Sequence, residues 1–146
     1  MIYKSYVVEQ NLDTLRNLDS FIFYGENYGL IKEFKNKIRS FNKEHEIINF
    51  LQEDLLKDDK ILQREIFNKS LFEKKKIIFI QNVSDKLFEL IKTSLENIKG
   101  DKIYLFSDQL DKKSKLRNYF EKSKNCGIAA CYNDNEVTLK RIISTK

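Results

Sequence analysis

The chain has 146 residues, of which 41% are hydrophobic and 34% are charged, and its formal net charge at pH 7 is +5. This length corresponds to one domain, and the apolar fraction excludes a disordered chain. Because no apolar run is long enough to span a membrane and the first residues lack the apolar core of a signal peptide, we expect a cytoplasmic protein. The positive charge permits contact with nucleic acid or an acidic protein without requiring either.

Five strand-like apolar segments alternate with helical patterns along the chain. The predicted strands are Ser20–Tyr24, Glu46–Leu51, Lys76–Gln81, Lys102–Ser107 and Gly127–Tyr132. The predicted helices are Asn27–Phe41, Lys57–Lys69, Asp85–Lys99, Lys112–Lys124 and a last one that begins at Asp134. Because the last helical pattern runs to the final residue without a stop signal, we expect residues 1–146 to be a fragment of a longer chain.

The apolar strands indicate a parallel sheet. Ile77–Ile80 and Ile103–Phe106 are continuous apolar runs without alternation, which is typical of strands buried on both faces. Strands and helices that alternate at this spacing form β-α units with right-handed crossovers. The sequence therefore predicts an α/β fold of three layers, in which a parallel five-stranded sheet is flanked by helices.

A glycine turn follows the first predicted strand, within Phe21–Ile31, where a P-loop ATPase would hold its phosphates. A working phosphate loop has glycines followed by Lys and Ser or Thr at the start of the helix. Leu30-Ile31 occupies those positions here, and the carboxylate of Glu26 in the turn would repel phosphate. We therefore interpret Gly25, Glu26 and Asn27 as a degenerate nucleotide turn in a P-loop-like architecture.

The other strand ends offer little catalytic chemistry. The third strand ends in the neutral pair Gln81-Asn82, where an ATPase needs acidic residues for magnesium. Asp85 is more simply the start or the cap of a helix, and Ser107-Asp108 is typical of a turn. His45 is the single histidine and has no Cys or His close to it in sequence. The residues therefore predict no catalytic centre, no metal site and no cofactor.

Of the two cysteines, Cys131 lies in the last predicted strand and Cys126 directly precedes it. The odd offset between Cys126 and Cys131 points their side chains to opposite faces of the sheet, which disfavours a disulfide between them. We expect reduced, buried thiols at both positions.

Three stretches of the chain together carry a resemblance to a known family. The first is Phe21–Asn27, followed by Leu30-Ile31. The second is Ser70-Leu71-Phe72, then a short charged gap, the strand Ile77–Ile80 and Asn82. The third is Leu110-Asp111-Lys112-Lys113-Ser114-Lys115-Leu116-Arg117, which leads to Phe120 and to Cys131-Tyr132. They cover most of the chain in the family's order. The chain resembles the delta subunit of the bacterial DNA polymerase III clamp loader, in its N-terminal AAA+-like domain.

The resemblance implies a role without catalysis. A delta subunit does not hydrolyse ATP but opens the ring-shaped sliding clamp during DNA replication, so residues 1–146 would be a clamp-binding AAA+-like domain. The implied partners are the sliding clamp, the ATP-binding and delta-prime type subunits of the loader, and DNA through the assembled complex. Any DNA polymerase activity would belong to that assembly and not to this chain, and no membrane partner is implied.

The resemblance places the clamp contact at Leu71 and Phe72, with Ser70 and Lys69 beside them. Two adjacent large apolar side chains cannot both lie under one narrow helix face, so we expect at least one of them to be exposed. An exposed Leu-Phe pair that fills an apolar pocket would supply ~2 kcal/mol or more of binding energy. From the residues alone, the alternative is that both are ordinary core side chains.

Basic residues cluster in the segment that ends at Lys124. Lys112, Lys113, Lys115 and Arg117 are candidates for electrostatic contact with DNA or a partner, and the alternative is a solvated face. For the whole chain, the residues leave open a DNA-binding module, a generic protein-interaction α/β domain and an ATPase with an atypical site.

Overall fold

The computed structural model describes residues 1–67, 75–98 and 100–132. Its strands are β1 (Ile2–Lys4), β2 (Ser20–Tyr24), β3 (Glu46–Leu51), β4 (Lys76–Gln81), β5 (Lys102–Ser107) and β6 (Cys126–Ala130). Its α-helices are α1 (Ser5–Gln10), α2 (Tyr28–Phe41), α3 (Gln52–Lys57), α4 (Lys60–Phe67), α5 (Phe88–Asn97) and α6 (Lys115–Lys122). Short 3-10 turns at Leu12–Leu15 and Asp85–Leu87 lead into β2 and α5. The helix predicted from Asp134 onward lies outside the described residues.

The strands form one parallel sheet in the order β1-β6-β2-β5-β4-β3. The prediction of an α/β fold with a parallel sheet between helices is therefore confirmed. The predicted count of five strands is wrong, because β1 lies beside β6 as a sixth strand. Strands β2 to β5 have the predicted ends, whereas β6 begins at Cys126 and ends at Ala130, before the predicted Tyr132.

Strand β1 has no apolar pattern that sequence reasoning would detect. It is three residues long, and Ile2, its one aliphatic side chain, is 70% exposed. Backbone contacts hold it instead, since Ile2 pairs with Ile128 and the amino group of Met1 donates to the carbonyl oxygens of Phe120 and Cys126, each at 2.7 Å. Contacts made by the backbone leave no trace in side-chain periodicity.

The sheet separates two cores of different chemistry. One face is mainly aliphatic, is covered by α3 to α6, and includes Ile22, Ile78, Ile80, Ile103 and Leu105. The other face is largely aromatic, is covered by α1 and α2, and includes Phe21, Phe23, Phe79, Tyr104 and Phe106. Both faces of β2 and β4 are therefore buried, as their unbroken apolar runs predict.

The cysteines lie as predicted. Cys126 belongs to the aliphatic core and Cys131 to the aromatic core, and both are buried and free. Burial raises the pKa of the Cys131 thiol to about 12, so it is protonated at neutral pH. These thiols pack as small apolar side chains.

Local side-chain caps shift several helix boundaries from their predicted positions. The predicted helix Lys57–Lys69 begins only at Lys60, because Asp58 is extended and its Oδ1 accepts from the Lys60 backbone N–H at 3.1 Å. Helix α3, which precedes it at Gln52–Lys57, was not predicted. The predicted helix Lys112–Lys124 begins only at Lys115, because Asp111 Oδ1 accepts from Lys113 N–H and forms a turn. These side-chain hydrogen bonds, and not the hydrophobic periodicity, therefore determine the residues at which the two helices begin.

Asp85 joins two elements that are distant in sequence. It is the first residue of the 3-10 turn before α5, and its carboxylate accepts from Ser114 Oγ at 2.6 Å and from the backbone N–H groups of Lys115 and Leu116 at 2.9 and 3.3 Å. Burial alone would raise the pKa of Asp85, but these hydrogen bonds outweigh it and hold the pKa below the ordinary value. Asp85 thus serves as a second N-cap for α6, beside Ser114.

We predict that Asp85→Asn lowers the free energy of unfolding by about 1 kcal/mol at neutral pH, the usual size of a lost helix cap. Because the folded-state pKa is lowered, this contribution is present above the ordinary value of 3.8 and is lost as the pH falls through the folded-state value. Urea unfolding of both proteins along a pH series measures the difference. Asp59→Asn removes an exposed carboxylate for which the described residues show no hydrogen bond, so it serves as the control.

A difference between Asp85→Asn and the natural chain that stayed constant down to the lowest pH would contradict the role of the ionised carboxylate. A shift in the control as large as that in Asp85→Asn would show that general surface charge, and not the cap, causes the effect.

Candidate functional site at the carboxyl edge of the sheet

The glycine turn after β2 is short and tightly enclosed. It spans Gly25 to Asn27, and Gly29 already lies inside α2. Gly25 has a φ of +131°, and a Cβ at this residue would overlap the carbonyl group of Cys131. Both the backbone angle and the space therefore require glycine at this position.

The backbone amides of the turn are already engaged within the protein. Gly25 N–H donates to the Asp108 carbonyl at 2.8 Å, and Asn27 N–H donates to the Cys131 carbonyl at 3.0 Å. Asn27 Oδ1 accepts from the Leu30 N–H at 3.0 Å and so caps α2. A phosphate-binding loop directs such N–H groups at its ligand. Here they bind the turn to the ends of β5 and β6.

The neighbouring strand ends meet at the same edge, as expected for a parallel sheet. Val83 N–H donates to the Phe106 carbonyl at 3.0 Å, and Ser107 Oγ donates to the Val83 carbonyl at 2.8 Å, which joins the chain after β4 to the end of β5. Asn82 lies between the last residue of β4, Gln81, and Val83, and it has a φ of +59°. Gln81 and Asn82 are neutral, so this edge lacks carboxylates at the end of β4.

A groove of about 330 Å³ runs between α2 and the ends of β4 and β5. The basic side chains along it are Lys32, Lys35 and Arg39, and the strand ends contribute Gln81, Asn82 and Asp108. Sequence reasoning found the strand ends but missed the three cations. Their i, i+3, i+7 spacing, which places them on one face of α2, is the signal that would have revealed them.

Two of these cations lie on the aromatic face of the sheet. Lys35 Nζ is 5.7 Å from the ring centre of Phe79 and 5.8 Å from that of Phe106, and the Arg39 guanidinium is 5.5 Å from Phe79. Burial and the nearby positive charge of Arg39 lower the pKa of Lys35. Lys35 and Arg39 thus lie close together at this face of the sheet, although both burial and their mutual repulsion disfavour the charged form of Lys35.

The basic residues predicted around α6 have divided roles. Arg117 is directed inward, where it donates to the Leu110 carbonyl at 2.8 Å, pairs with Glu121 at 3.3 Å and lies 5.4 Å from the ring centre of Tyr24. Lys112, Lys113 and Lys115 are exposed. Arg117 is therefore engaged within the fold, and the lysines supply the solvent-facing charge.

An open hollow of about 550 Å³ lies along α6 and α5. Lys113, Lys115 and Lys122 line it together with the aromatic rings of Phe88 and Tyr119, whose centres are 6.0 Å apart and nearly perpendicular. Sequence reasoning did not pair these lysines with an aromatic partner, because it overlooked Tyr119 in the same helix and because Phe88 belongs to a different helix.

The predicted clamp contact lies outside the described residues, since Lys69, Ser70, Leu71 and Phe72 fall within 68–74. The residues on either side are held together. Lys76, which is 5% exposed, donates from Nζ to the Glu65 carbonyl at 2.8 Å and to its carboxylate at 3.1 Å. The end of α4 and the start of β4 are thereby joined at the amino edge of the sheet, opposite the glycine turn.

Within the described ranges, no group of three or more His, Cys, Asp and Glu side chains is arranged to hold a metal ion. His45 is half-buried, and its Nδ1 has no hydrogen-bond partner in this part of the chain. The helices that the structure describes are all too short or too polar to cross a membrane.

No protein-family model and no curated protein matches the chain. Among solved structures, it is similar to the Bacillus subtilis DNA clamp loader delta protein (YqeN), with a TM-score of 0.68 and 14% identity. The match covers 94% of this chain and 45% of that protein, so the chain spans less than half of its length. Domain III of the Thermotoga maritima replication initiation protein DnaA matches with a TM-score of 0.57 and 18% identity, over 96% of this chain and 67% of that structure. The chain therefore shares its fold, a parallel sheet flanked by helices, with both of these structures.

We predict that Gly25→Ala lowers the free energy of unfolding by about 2 kcal/mol or more, because the side chain meets Cys131 and the backbone angle is unfavourable for alanine. Gly29→Ala is the matched control. It lies in α2, where the nearest atom to an added Cβ is Asn27 Oδ1 at 3.6 Å, so alanine should be neutral or stabilise by up to ~1 kcal/mol. Chemical unfolding of the two variants measures the contrast, and equal effects would contradict the close approach at Gly25.

Proposed function

We propose that the chain is a non-catalytic clamp-loader domain that binds the sliding clamp and helps to open it during DNA replication. The observation that carries the proposal is the glycine turn, whose amides are hydrogen-bonded to the ends of β5 and β6 in a fold similar to that of a clamp-loader delta protein. A domain that keeps this architecture while its phosphate loop is engaged internally is suited to binding a partner.

The chemistry of the strand ends supports a role without ATP hydrolysis. Leu30 and Ile31 stand where phosphate loops place Lys and Ser or Thr. Gln81 and Asn82 end β4 without the carboxylate that holds magnesium in such enzymes. We therefore interpret Gly25, Glu26 and Asn27 as a degenerate nucleotide turn.

We assign the clamp contact to Leu71 and Phe72, flanked by Ser70 and Lys69. The support is the adjacent pair of large apolar residues in a segment whose two ends are joined by the Lys76–Glu65 contact at 2.8 Å. This contact joins the end of α4 to the start of β4, the two elements that flank the segment. The other proposed partners are the ATP-binding and delta-prime type subunits and, through the complete loader, DNA.

We predict that the natural chain binds its cognate sliding clamp saturably and that Leu71→Ala/Phe72→Ala weakens binding about 30-fold or more, which corresponds to ~2 kcal/mol. Titration calorimetry measures both affinities. The control is Leu56→Ala/Phe41→Ala, which removes the same two residue types from positions that are 47% and 49% exposed on other helices. This control should bind as the natural chain does.

Equal binding by the natural chain and by Leu71→Ala/Phe72→Ala would contradict the contact site but keep the partner. Absence of binding at high micromolar concentration would reject the clamp as partner. ATP hydrolysis by the purified chain would instead favour an ATPase with an atypical site.

A second candidate function is direct contact with DNA along α6. The hollow beside α6 supports it, because Lys113, Lys115 and Lys122 surround the rings of Phe88 and Tyr119. Lysines bind phosphates, and aromatic rings stack with unpaired bases, so this combination suits single-stranded DNA.

We predict that the triple variant Lys113→Gln/Lys115→Gln/Lys122→Gln binds single-stranded DNA with a weaker dependence on salt. The slope of log affinity against log salt concentration should be less steep by about 2, because each lost phosphate contact reduces it by about 0.7. Fluorescence anisotropy at several salt concentrations measures this slope. Lys4→Gln/Lys37→Gln/Lys57→Gln removes the same charge from exposed positions elsewhere and should change the slope less. An equal effect of the two triple variants would indicate general attraction by net charge.

A further inference from the structure

The outer side of β3 is an open edge of the sheet. Strand β3 pairs with β4 on one side, and none of the described strands lies on its other side. Open edges of natural sheets are usually protected by short length, lysines, prolines or bulges. At the opposite end of the sheet, β1 is three residues long and carries Lys4. Strand β3 has six residues in unbroken register and one charge, on Glu46 at its start, so its other five residues lack this protection.

The helices beside β3 lie chiefly over the inner strands and leave β3 accessible. Helix α2 places Lys35 Nζ 5.7 Å from the ring centre of Phe79 in β4 and 5.8 Å from that of Phe106 in β5. Helix α3 is held toward β4, because Gln52 Oε1 accepts from the Ser84 N–H at 2.6 Å. As a result, no residue of β3 is buried. The apolar side chains at this edge are the half-buried Ile47, Ile48 and Phe50 and the 42% exposed Leu51.

This edge is complementary to a second copy of itself. In a symmetric antiparallel pair, opposite side chains lie on the same face of the sheet, so one residue must face its own copy across the two-fold axis. With Asn49 on the axis, every apolar residue of β3 faces another apolar residue. The facing pairs are then Ile47 with Leu51 and Ile48 with Phe50, each of them twice. Cross-strand pairs of aromatic, β-branched and aliphatic side chains stabilise such a contact.

Neighbouring registers lose this match. With Ile48 on the axis, Asn49 would face Ile47, and Glu46 would face Phe50. With Phe50 on the axis, Asn49 would face Leu51, and the first half of the strand would have no partner. Each alternative sets a polar side chain against an apolar one, which costs desolvation without a compensating hydrogen bond. The side chains of β3 thus select the register centred on Asn49.

Asn49 also suits a position on the axis. Its Oδ1 accepts from Arg39 Nη2 at 3.2 Å, which orients the side-chain amide, and in this part of the chain no acceptor contacts its Nδ2. An amide oxygen accepts two hydrogen bonds and an amide nitrogen donates two. Two Asn49 side chains that meet across the axis can therefore each donate to the other while both keep the contact with Arg39.

We propose that β3 is a self-association surface, through which two copies of the chain pair antiparallel with Asn49 facing Asn49 across a two-fold axis. The two six-stranded sheets then form one continuous sheet. None of the residues assigned to the clamp, to the nucleotide turn or to DNA belongs to β3, so this surface goes beyond the function proposed above and does not depend on it.

Sedimentation velocity of the 146-residue chain, over a concentration series up to about 1 mM, tests the association, because an interface of one strand pair is small and gives a weak dimer. We expect a shift from monomer to dimer and no larger species, since a two-fold contact closes on itself. Leu51→Lys should weaken the dimer about tenfold or more, because it removes two Ile47–Leu51 pairs and adds charge to the edge. Val7→Lys makes a similar change at a 39% exposed position of α1, next to the opposite edge, and should weaken it less than about twofold.

Crosslinking tests the register. Opposite residues of an antiparallel pair have Cβ atoms about 4.5–5.5 Å apart, so two Asn49→Cys chains should form a disulfide in oxidised glutathione. Leu51→Cys is the matched control on the same strand, because this register holds position 51 about 13 Å from its own copy. We expect Asn49→Cys to crosslink about fivefold faster or more than Leu51→Cys. The natural cysteines, Cys126 and Cys131, are buried and stay out of the reaction.

Four results would overturn the proposal. The natural chain could stay monomeric over the whole series, Val7→Lys could weaken association as much as Leu51→Lys, or Leu51→Cys could crosslink as fast as Asn49→Cys. A series of species larger than the dimer would indicate head-to-tail pairing of β3 with β1 instead. If circular dichroism shows that Leu51→Lys is unfolded, the comparison of the two cysteine variants decides. No readout involves the clamp, so failure here is distinct from failure of the proposed function.

Discussion

The missing side chain of Gly25 permits three strands to end at one point. The Cys131 carbonyl occupies the space of a Cβ at residue 25, and Gly25 N–H donates to the Asp108 carbonyl at 2.8 Å. The ends of β2, β5 and β6 are therefore in backbone contact across the turn. In a phosphate loop the same amides would be kept free for a ligand. Here they stabilise the edge of the sheet, so the turn contributes to the fold and α2 starts from a fixed position.

The chemical difference between the two faces of the sheet determines what α2 can carry. A helix over an aliphatic face would have to direct its lysines away, because an aliphatic surface offers a cation no favourable contact. Phe79 and Phe106 offer ring faces instead, and Lys35 and Arg39 lie on them at 5.5 to 5.8 Å. The aromatic composition of β4 and β5 thus allows positive charge close to the core, next to strand ends whose one carboxylate in the groove is that of Asp108.

The sequence predicts the central sheet well because its strands are buried on both faces. Unbroken apolar runs such as Ile77–Ile80 are typical of strands buried on both faces, and β2, β4 and β5 have the predicted ends. The edge strand β3 also has the predicted ends, although none of its residues is buried. Boundaries set by single side chains were harder to predict, since Asp58 starts a new helix and Asp111 delays another through hydrogen bonds that periodicity does not encode. Strand β1 was missed because it is three residues long and is held by its backbone pairing with β6 and by one ring, Tyr3, which packs on Phe21 at 5.6 Å.

The candidate site was predictable only in part for a related reason. The strand ends could be placed together from the rule that parallel strands share a carboxyl edge. The position of Lys35 over Phe106 depends on which strands α2 crosses. That in turn depends on the strand order β2-β5-β4, and the sequence pattern does not reveal that β5 lies between β2 and β4. The altered turn can be predicted from residues 21–31 alone, because it is local in sequence. The groove can be predicted only when the strand order is known, because its walls come from distant parts of the chain.

Strand β4 connects the amino and carboxyl edges of the sheet. It begins at Lys76, whose contact with Glu65 closes the base of the segment assigned to the clamp, and it ends at Gln81 in the wall of the groove. Its side chains from Lys76 to Ile80 are buried, and six residues of extended chain hold the two edges about 17 Å apart. A strand packed on both faces resists sliding, because any shift along its axis would break its pairing with β3 and β5 together. The fold therefore fixes the distance between the amino and carboxyl edges of the sheet at this strand.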